Sequence, residues 1–320
     1  MIKVTDVAYV RFAAPDLDRM EKFLVDFGLI PSVRTDDTLY MRGLDPEHHL
    51  HITHLADKPR FIGMAFNASS MEDLETLSKM DGASAVMEID EPGGGFRVQM
   101  TDPCGFLVET VFGLETMNTL PMNEFIGPDF GPSRPRKGEI LRAQKVPCPV
   151  KRLGHIVLNV PDCNTMDNFY KTHFGFISSD ECYTEGSSGD LVVAFHRCDK
   201  GKEYVDHHTL LFTKSKVQEL AHIAFEIGDI NALFVGHEFL ESKGYEHSWG
   251  IGRHTRGGQI FDYWFDPYGH RVEHFYGGDL LNVDDDTKVA PLRDILASQW
   301  GAQVVDRRAS LATDYDPLKV

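Results

Sequence analysis

Apolar residues recur at spacings of three and four in two places along the chain, each time just after a strand-like run that ends in Pro-Asp. The run Val7-Ala8-Tyr9-Val10-Arg11-Phe12-Ala13-Ala14 leads into Leu17, Met20, Phe23, Leu24 and Phe27, and residues 153–160 lead into Met166, Phe169, Tyr170 and Phe174. That periodicity predicts two helices, each with one buried face. Asp16 and Asp162 stand where an N-cap carboxylate takes a free backbone N–H, and Gly28 and Gly175 stand where a left-handed residue closes the last turn. A second correspondence sets 61–66 against 220–225, each followed by a polar link and a helix-like stretch, at 70–80 and 230–243.

Each half then reaches an Asp-Pro-x-Gly turn: Asp102-Pro103-Cys104-Gly105 and Asp266-Pro267-Tyr268-Gly269. Proline fixes φ at the second position, the aspartate can accept bonds from nearby backbone, and glycine ends the turn. Each turn returns the chain along a strand that carries a glutamate, Glu109 or Glu273. The plan is an α+β protein of two tandem domains, each made of two strand–helix–strands units with antiparallel hairpins and outer helices. The halves span 1–120 and 151–280. A connector rich in Pro and Gly, 121–150, joins them, and a mixed tail, 281–320, predicts a helix near 291–299.

The charge balance narrows the partners. Asp plus Glu number 49 against 32 Lys plus Arg, a formal charge of −17, which opposes nucleic acid and anionic membrane surfaces. Apolar runs fall short of the roughly 20 residues a membrane span needs. The opening Met1-Ile2-Lys3-Val4-Thr5-Asp6 turns polar too early for a secretory signal. The five cysteines, Cys104, Cys148, Cys163, Cys182 and Cys198, are odd in number and form no C-x-x-C pair. Free thiols in a reducing cytoplasm are therefore expected.

The two halves differ at three matched positions. The second carries His155, His222 and Glu273 where the first carries Tyr9, Gly63 and Glu109. Two imidazoles and a carboxylate on one face of an octahedron leave three positions open, the arrangement suited to a non-haem Fe(II) that binds substrate and O₂ together; Mn(II) also suits these donors. Strand alternation puts His155 on the face of Leu153 and Val157, and His222 on the face of Ala224 and Glu226, away from Ile223, Phe225 and Ile227.

The segment Gly252-Arg253-His254, followed after eight residues by Tyr263 and then Trp264-Phe265-Asp266-Pro267-Tyr268-Gly269-His270-Arg271-Val272-Glu273, resembles the signature of type I extradiol ring-cleavage dioxygenases of the vicinal oxygen chelate, or glyoxalase–bleomycin resistance–dioxygenase, superfamily. One position departs: Asp262 stands where an apolar residue usually precedes the tyrosine. The resemblance covers most of the chain. It implies βαβββ units whose curved mixed sheet surrounds a cavity, and an oxidoreductase that opens a catechol ring beside its diol with both atoms of O₂. In that reading His155, His222 and Glu273 bind iron. A histidine of the pair His207-His208 moves protons, with His208 favoured by its spacing to His222, and His254 and Tyr263 hold the diol and oxygen. Arg256 is a candidate for pairing with an anionic ring substituent, and Arg307 and Arg308 for folding over the mouth. A homo-oligomer is implied too.

Other readings stay on the page. The same donors suit a zinc- or nickel-dependent lyase or isomerase that uses no O₂, and a non-catalytic protein could sequester an aromatic ligand without metal. His48-His49-Leu50-His51-Ile52-Thr53-His54 would put His49 and His51 on one strand face, but no carboxylate matches them. Nothing resembles a phosphate-binding loop or an H-E-x-x-H helix.

Overall fold

A computed structural model of the chain describes residues 2–122, 132, 138, 142–185, 188–295 and 297–301. The N-terminal half runs β1 (Val4–Ala14), α1 (Leu17–Phe27), β2 (Ile30–Arg34), β3 (Thr38–Arg42) and β4 (His51–Leu55), then β5 (Arg60–Ala68), α2 (Met71–Leu77), β6 (Met87–Glu88), β7 (Phe96–Thr101) and β8 (Leu107–Phe112). The C-terminal half runs β9 (Val150–Val160), α3 (Cys163–Phe174), β10 (Ile177–Glu185), β11 (Ser188–Arg197), the short β12 (Val205–Asp206) and β13 (Leu210–Lys214). It continues with β14 (Glu219–Ile227), α4 (Ile230–Ser242), β15 (His247–His254), β16 (Ile260–Phe265) and β17 (Arg271–Tyr276). Each half is thus two βαβββ units, as the sequence repeat predicts, with β12 an addition to the third unit.

The local signals explain the helices. Asp16 and Asp162 accept from the backbone N–H of Arg19 and Thr165, and Gly28 and Gly175 close α1 and α3 at positive φ. The two turns form alike: Asp102 Oδ1 accepts from Cys104 and Phe106 N–H, and Asp266 Oδ1 from Tyr268 and His270 N–H.

The N-terminal sheet has the order β2-β3-β4-β1-β5-β8-β7-β6. The C-terminal sheet runs β10-β11-β13-β9-β14-β17-β16-β15 and gains one strand at each edge from the tail. The tail forms β18 (Leu280–Leu281), β19 (Lys288–Val289), a single-turn α5 (Leu292–Ile295) and β20 (Ser298–Gly301). β19 pairs with β10, β20 pairs with β15, and Leu292 and Ile295 between them pack on Val157, Val193, Phe195 and Leu211. This stretch therefore runs from one edge of the sheet to the other across the ligand-bearing face. Arg307 and Arg308 lie outside the described residues, as does most of the connector.

Helices α1 and α3 fill the seam between the two sheets. Phe23 and Phe27 of α1 meet Tyr245, Phe225 and His274 of the second half. Tyr170 and Phe174 of α3 meet Phe66 of the first, and the Tyr170 hydroxyl donates to Asp102 at 3.0 Å. The apolar stripes read from the sequence are thus the glue between halves, and the ligand faces look away from them. All five cysteines are buried and free. Among the described residues no helix is long and apolar enough to cross a membrane.

Candidate metal centre

Three adjacent strands of the C-terminal sheet, β9, β14 and β17, bring His155, His222 and Glu273 together. Ala224 lies opposite His155 on one side and beside Glu273 on the other, while His222 lies opposite Val157. The facing is set by a bulge. Ala224 pairs with His155 and Phe225 with Leu153, so Gly154 is the extra residue. Only glycine fits there, because a Cβ would lie 2.3 Å from the Phe275 ring. The bulge corrects the strict alternation expected from sequence: Val157 shares the His155 face, but Leu153 joins the core on the helix side.

His155 Nε2 stands 3.1 Å from Glu273 Oε2, and His222 Nε2 stands 3.3 Å from the same oxygen. Glu273 is fully buried, and its Oε1 and His222 Nε2 have no hydrogen-bond partner. Burial lowers the His155 pKa to about 3 and that of His222 to about 4, and it pushes the Glu273 carboxyl up. The imidazoles are therefore neutral, with lone pairs to give, around a carboxylate that lacks a bonded cation. Orphaned acceptors converging in a dry site fit a divalent ion.

Other candidates surround this point. The His208 ring packs on His155, tilted by 49° with the centroids 4.2 Å apart, and burial drives its pKa well down. His207 turns away, with Nδ1 3.1 Å from His208 Nδ1 and Nε2 2.9 Å from Asp180. Alternation carried back from β13 would have put His207 on the ligand face with Leu211. The pair precedes the strand, which begins at Leu210, so the alternation does not reach it. Asp180, on β10, completes an Asp180–His207–His208 chain that the sequence did not single out; an acidic residue between Ser179 and Glu181 carries no local signal of its partner.

His254 Nε2 lies 2.9 Å from the Tyr263 hydroxyl and 3.9 Å from Glu273 Oε1. Burial lowers the His254 pKa to about 3 and raises that of Tyr263. Tyr263 faces Glu273 directly across β16 and β17. His208 packs on His155 and His254 lies beside Glu273, yet His254 ends β15, five places in the sheet order from β13, which His208 precedes. A flat sheet would separate those strands by about 24 Å, so the sheet curls around the centre. Arg256 is paired already, at 3.5 Å from Asp180 and 3.4 Å from Asp294 of α5. An anionic substituent would have to compete with those carboxylates.

His49 and His51 part company, contrary to the expectation of a shared face. His49 packs on Tyr9 and Tyr40 and precedes β4, whereas His51 stacks on Phe12 toward the seam.

Comparison with known proteins bears on the fold that carries these residues. Residues 152–274 match the model of the Glyoxalase/Bleomycin resistance protein/Dioxygenase superfamily. Metapyrocatechase 2 of Cupriavidus necator is 27% identical over 307 residues, covering 94% of this chain and 90% of that protein. The Mn(II)-bound glyoxalase of Novosphingobium aromaticivorans superposes with a TM-score of 0.78 at 22% identity, covering 98% of each chain. Homoprotocatechuate 2,3-dioxygenase of Arthrobacter globiformis gives 0.73 at 21% identity, covering 91% of this chain and 86% of that one. These matches bear out the resemblance read from the Gly252–Glu273 segment. The chain has the tandem glyoxalase-type fold, and its named relatives include extradiol dioxygenases.

Proposed function

We propose that this chain, as a relative of the extradiol dioxygenases, opens a catechol-type ring next to its two hydroxyls and incorporates both atoms of O₂. The observation that carries the reading is the fully buried Glu273, its Oε1 without a partner, beside two neutral imidazoles, with a histidine–tyrosine pair and a further histidine within reach. His155, His222 and Glu273 would hold Fe(II), for which Mn(II) is the natural substitute. Bound there, the ion would supply open coordination positions for the two oxygens of a diol and for O₂.

The chain's own groups do the rest. His208 is neutral at pH 7 because burial disfavours its cation, so it can take a proton from a substrate hydroxyl and return it later. His207 fixes the His208 ring, and Asp180 in turn fixes His207. Tyr263 and His254 are bonded to each other at rest, and exchanging that bond frees a donor for an oxygen atom that gains negative charge. Phe195, Leu211 and α5 exclude water, which strengthens each of these bonds. Arg256 would meet an acidic ring substituent only by exchanging Asp294 for it. The assembly is proposed to work as a homo-oligomer in the cytoplasm.

A metal-dependent lyase or isomerase is the competing reading, since a glyoxalase shares the fold; the His254–Tyr263 pair favours ring cleavage. An oxygen electrode separates the two. The iron-loaded enzyme, screened anaerobically loaded against mono- and bicyclic catechols, is expected to consume one O₂ per ring and give a yellow ring-opened product. A chain that retains the metal yet uses no O₂ with any of these substrates would refute the reading.

A further inference from the structure

Three carboxylates among the described residues show no exposure at all: Glu109, Glu273 and Asp262. Arg11 and Arg97 sit on Glu109. Glu273 belongs to the metal centre. Asp262 remains, at the position where the dioxygenase signature has an apolar residue, and a buried charge there needs a reason.

Its surroundings repeat the pattern of the centre on the other side of the same strand. Along β16, Tyr263 faces the ligands, while Asp262 and Trp264 face helix α4. Asp262 Oδ1 lies 3.1 Å from His237 Nδ1, on α4, and 2.9 Å from His247 Nε2, the first residue of β15. The second oxygen, Oδ2, accepts from the Trp264 indole N–H at 2.7 Å. His237 Nδ1 also lies 3.0 Å from Oδ2 and so straddles the carboxylate, and Oδ1 is shared by two imidazoles from different elements.

We propose that His237, His247 and Asp262 form a second divalent-metal site, taking Zn(II) or a similar late first-row ion, between α4 and the β15–β16 hairpin. Ligands about 2.0–2.1 Å from a tetrahedral ion stand about 3.3 Å apart, and the atoms these three residues offer all lie within 4.8 Å of one another. Binding requires His237 Nδ1 and His247 Nε2 to present lone pairs where they now donate. Each ring then carries its proton on the other nitrogen. For His237 that nitrogen, Nε2, is 3.7 Å from Glu241 Oε1, one helical turn on, beyond hydrogen-bond length but near enough for the carboxylate to turn in and orient the ring. The side chains of His237 and His247 are 19% and 29% exposed, so an ion has a route in and water can fill the remaining position. The site would clamp α4 to the strand that carries Tyr263. It goes beyond the ring-cleavage reading and does not depend on it.

Zinc counting after chelation and reloading tests this, in two backgrounds so that the first centre cannot confuse the count. His247→Ala is expected to lower bound zinc by one ion per chain both in the wild-type protein and in Glu273→Ala, and His237→Ala to do the same. Circular dichroism confirms that each variant is folded. Zinc should also raise the Tm of Glu273→Ala by about 5 °C at a hundredfold excess over its Kd, and leave that of Glu273→Ala/His247→Ala unmoved. Equal zinc counts with and without His247 in folded protein, or a Glu273→Ala protein that takes up no zinc, would overturn the proposal.

Discussion

The two halves of the chain solve the same electrostatic problem in different ways. Glu109 and Glu273 occupy equivalent places, each beside an alanine on the neighbouring strand and each fully buried. Around Glu109 the protein supplies its own cation: Arg11 Nε bonds Oε2 at 2.5 Å, with the Tyr9 hydroxyl at 2.9 Å and Gln99 Nε2 at 2.8 Å. Arg97 adds a second guanidinium at 3.1 Å. Around Glu273 stand neutral imidazoles and an acceptor without a partner. Arg11 lies opposite Gly63, where Val157 lies opposite His222. Gly63 cannot gain a side chain as it stands, because a Cβ would fall 2.0 Å from the Leu107 carbonyl oxygen. One half holds its carboxylate with a guanidinium, and the other sets two neutral imidazoles there, as the proposed ion site would require. The lesson is that the cation, more than the carboxylate, decides whether such a sheet is scaffold or centre.

Exchanging carboxylates tests that contrast. The largest effect is expected from Glu273→Ala, which should lose iron from the first centre and all turnover, with a Tm at or above that of the metal-free parent; turnover near the parent level would refute the ligand assignment. Next comes His208→Ala, expected to lower kcat by about 10²–10⁴ while iron stays bound. Loss of iron would make His208 a ligand, and an unchanged kcat would leave the proton chemistry elsewhere. The smallest effect on activity is expected from Glu109→Ala. It should leave iron binding and kcat within about twofold, yet cost about 1–3 kcal/mol of stability in denaturant unfolding, because Arg11 keeps Glu91 at 2.8 Å but loses its bond to Glu109. A loss of activity out of proportion to unfolding would show the first half to be part of the centre.

Much of this was legible in the residues. The caps Asp16 and Asp162, the closing glycines Gly28 and Gly175 and the paired Asp-Pro-x-Gly turns act within a few residues, so a local reading finds them. The ligand set emerged because the repeat offered an internal control: one half with imidazoles, one without. What escaped depends on contacts distant in sequence. Gly154 bulges because of Phe275, 121 positions away by the numbering of the two residues, and so Leu153 changes face. His207 and His208 lie before β13 begins, where alternation has no hold. Asp262 looked like a tolerated departure from a motif, and its partners His237 and His247 come from a helix and another strand. The tail strands β19 and β20 are two and four residues long, too short for any periodicity to announce them.

The central claim is that His155, His222 and Glu273 share one ion. A crystal of the anaerobically iron-loaded protein, measured on both sides of the iron absorption edge, tests it most directly. A single strong iron peak is expected within about 2.0–2.3 Å of His155 Nε2, His222 Nε2 and a Glu273 oxygen, and none beside Glu109. Iron found elsewhere, or those three side chains ordered around no ion in a protein that carries iron, would contradict it.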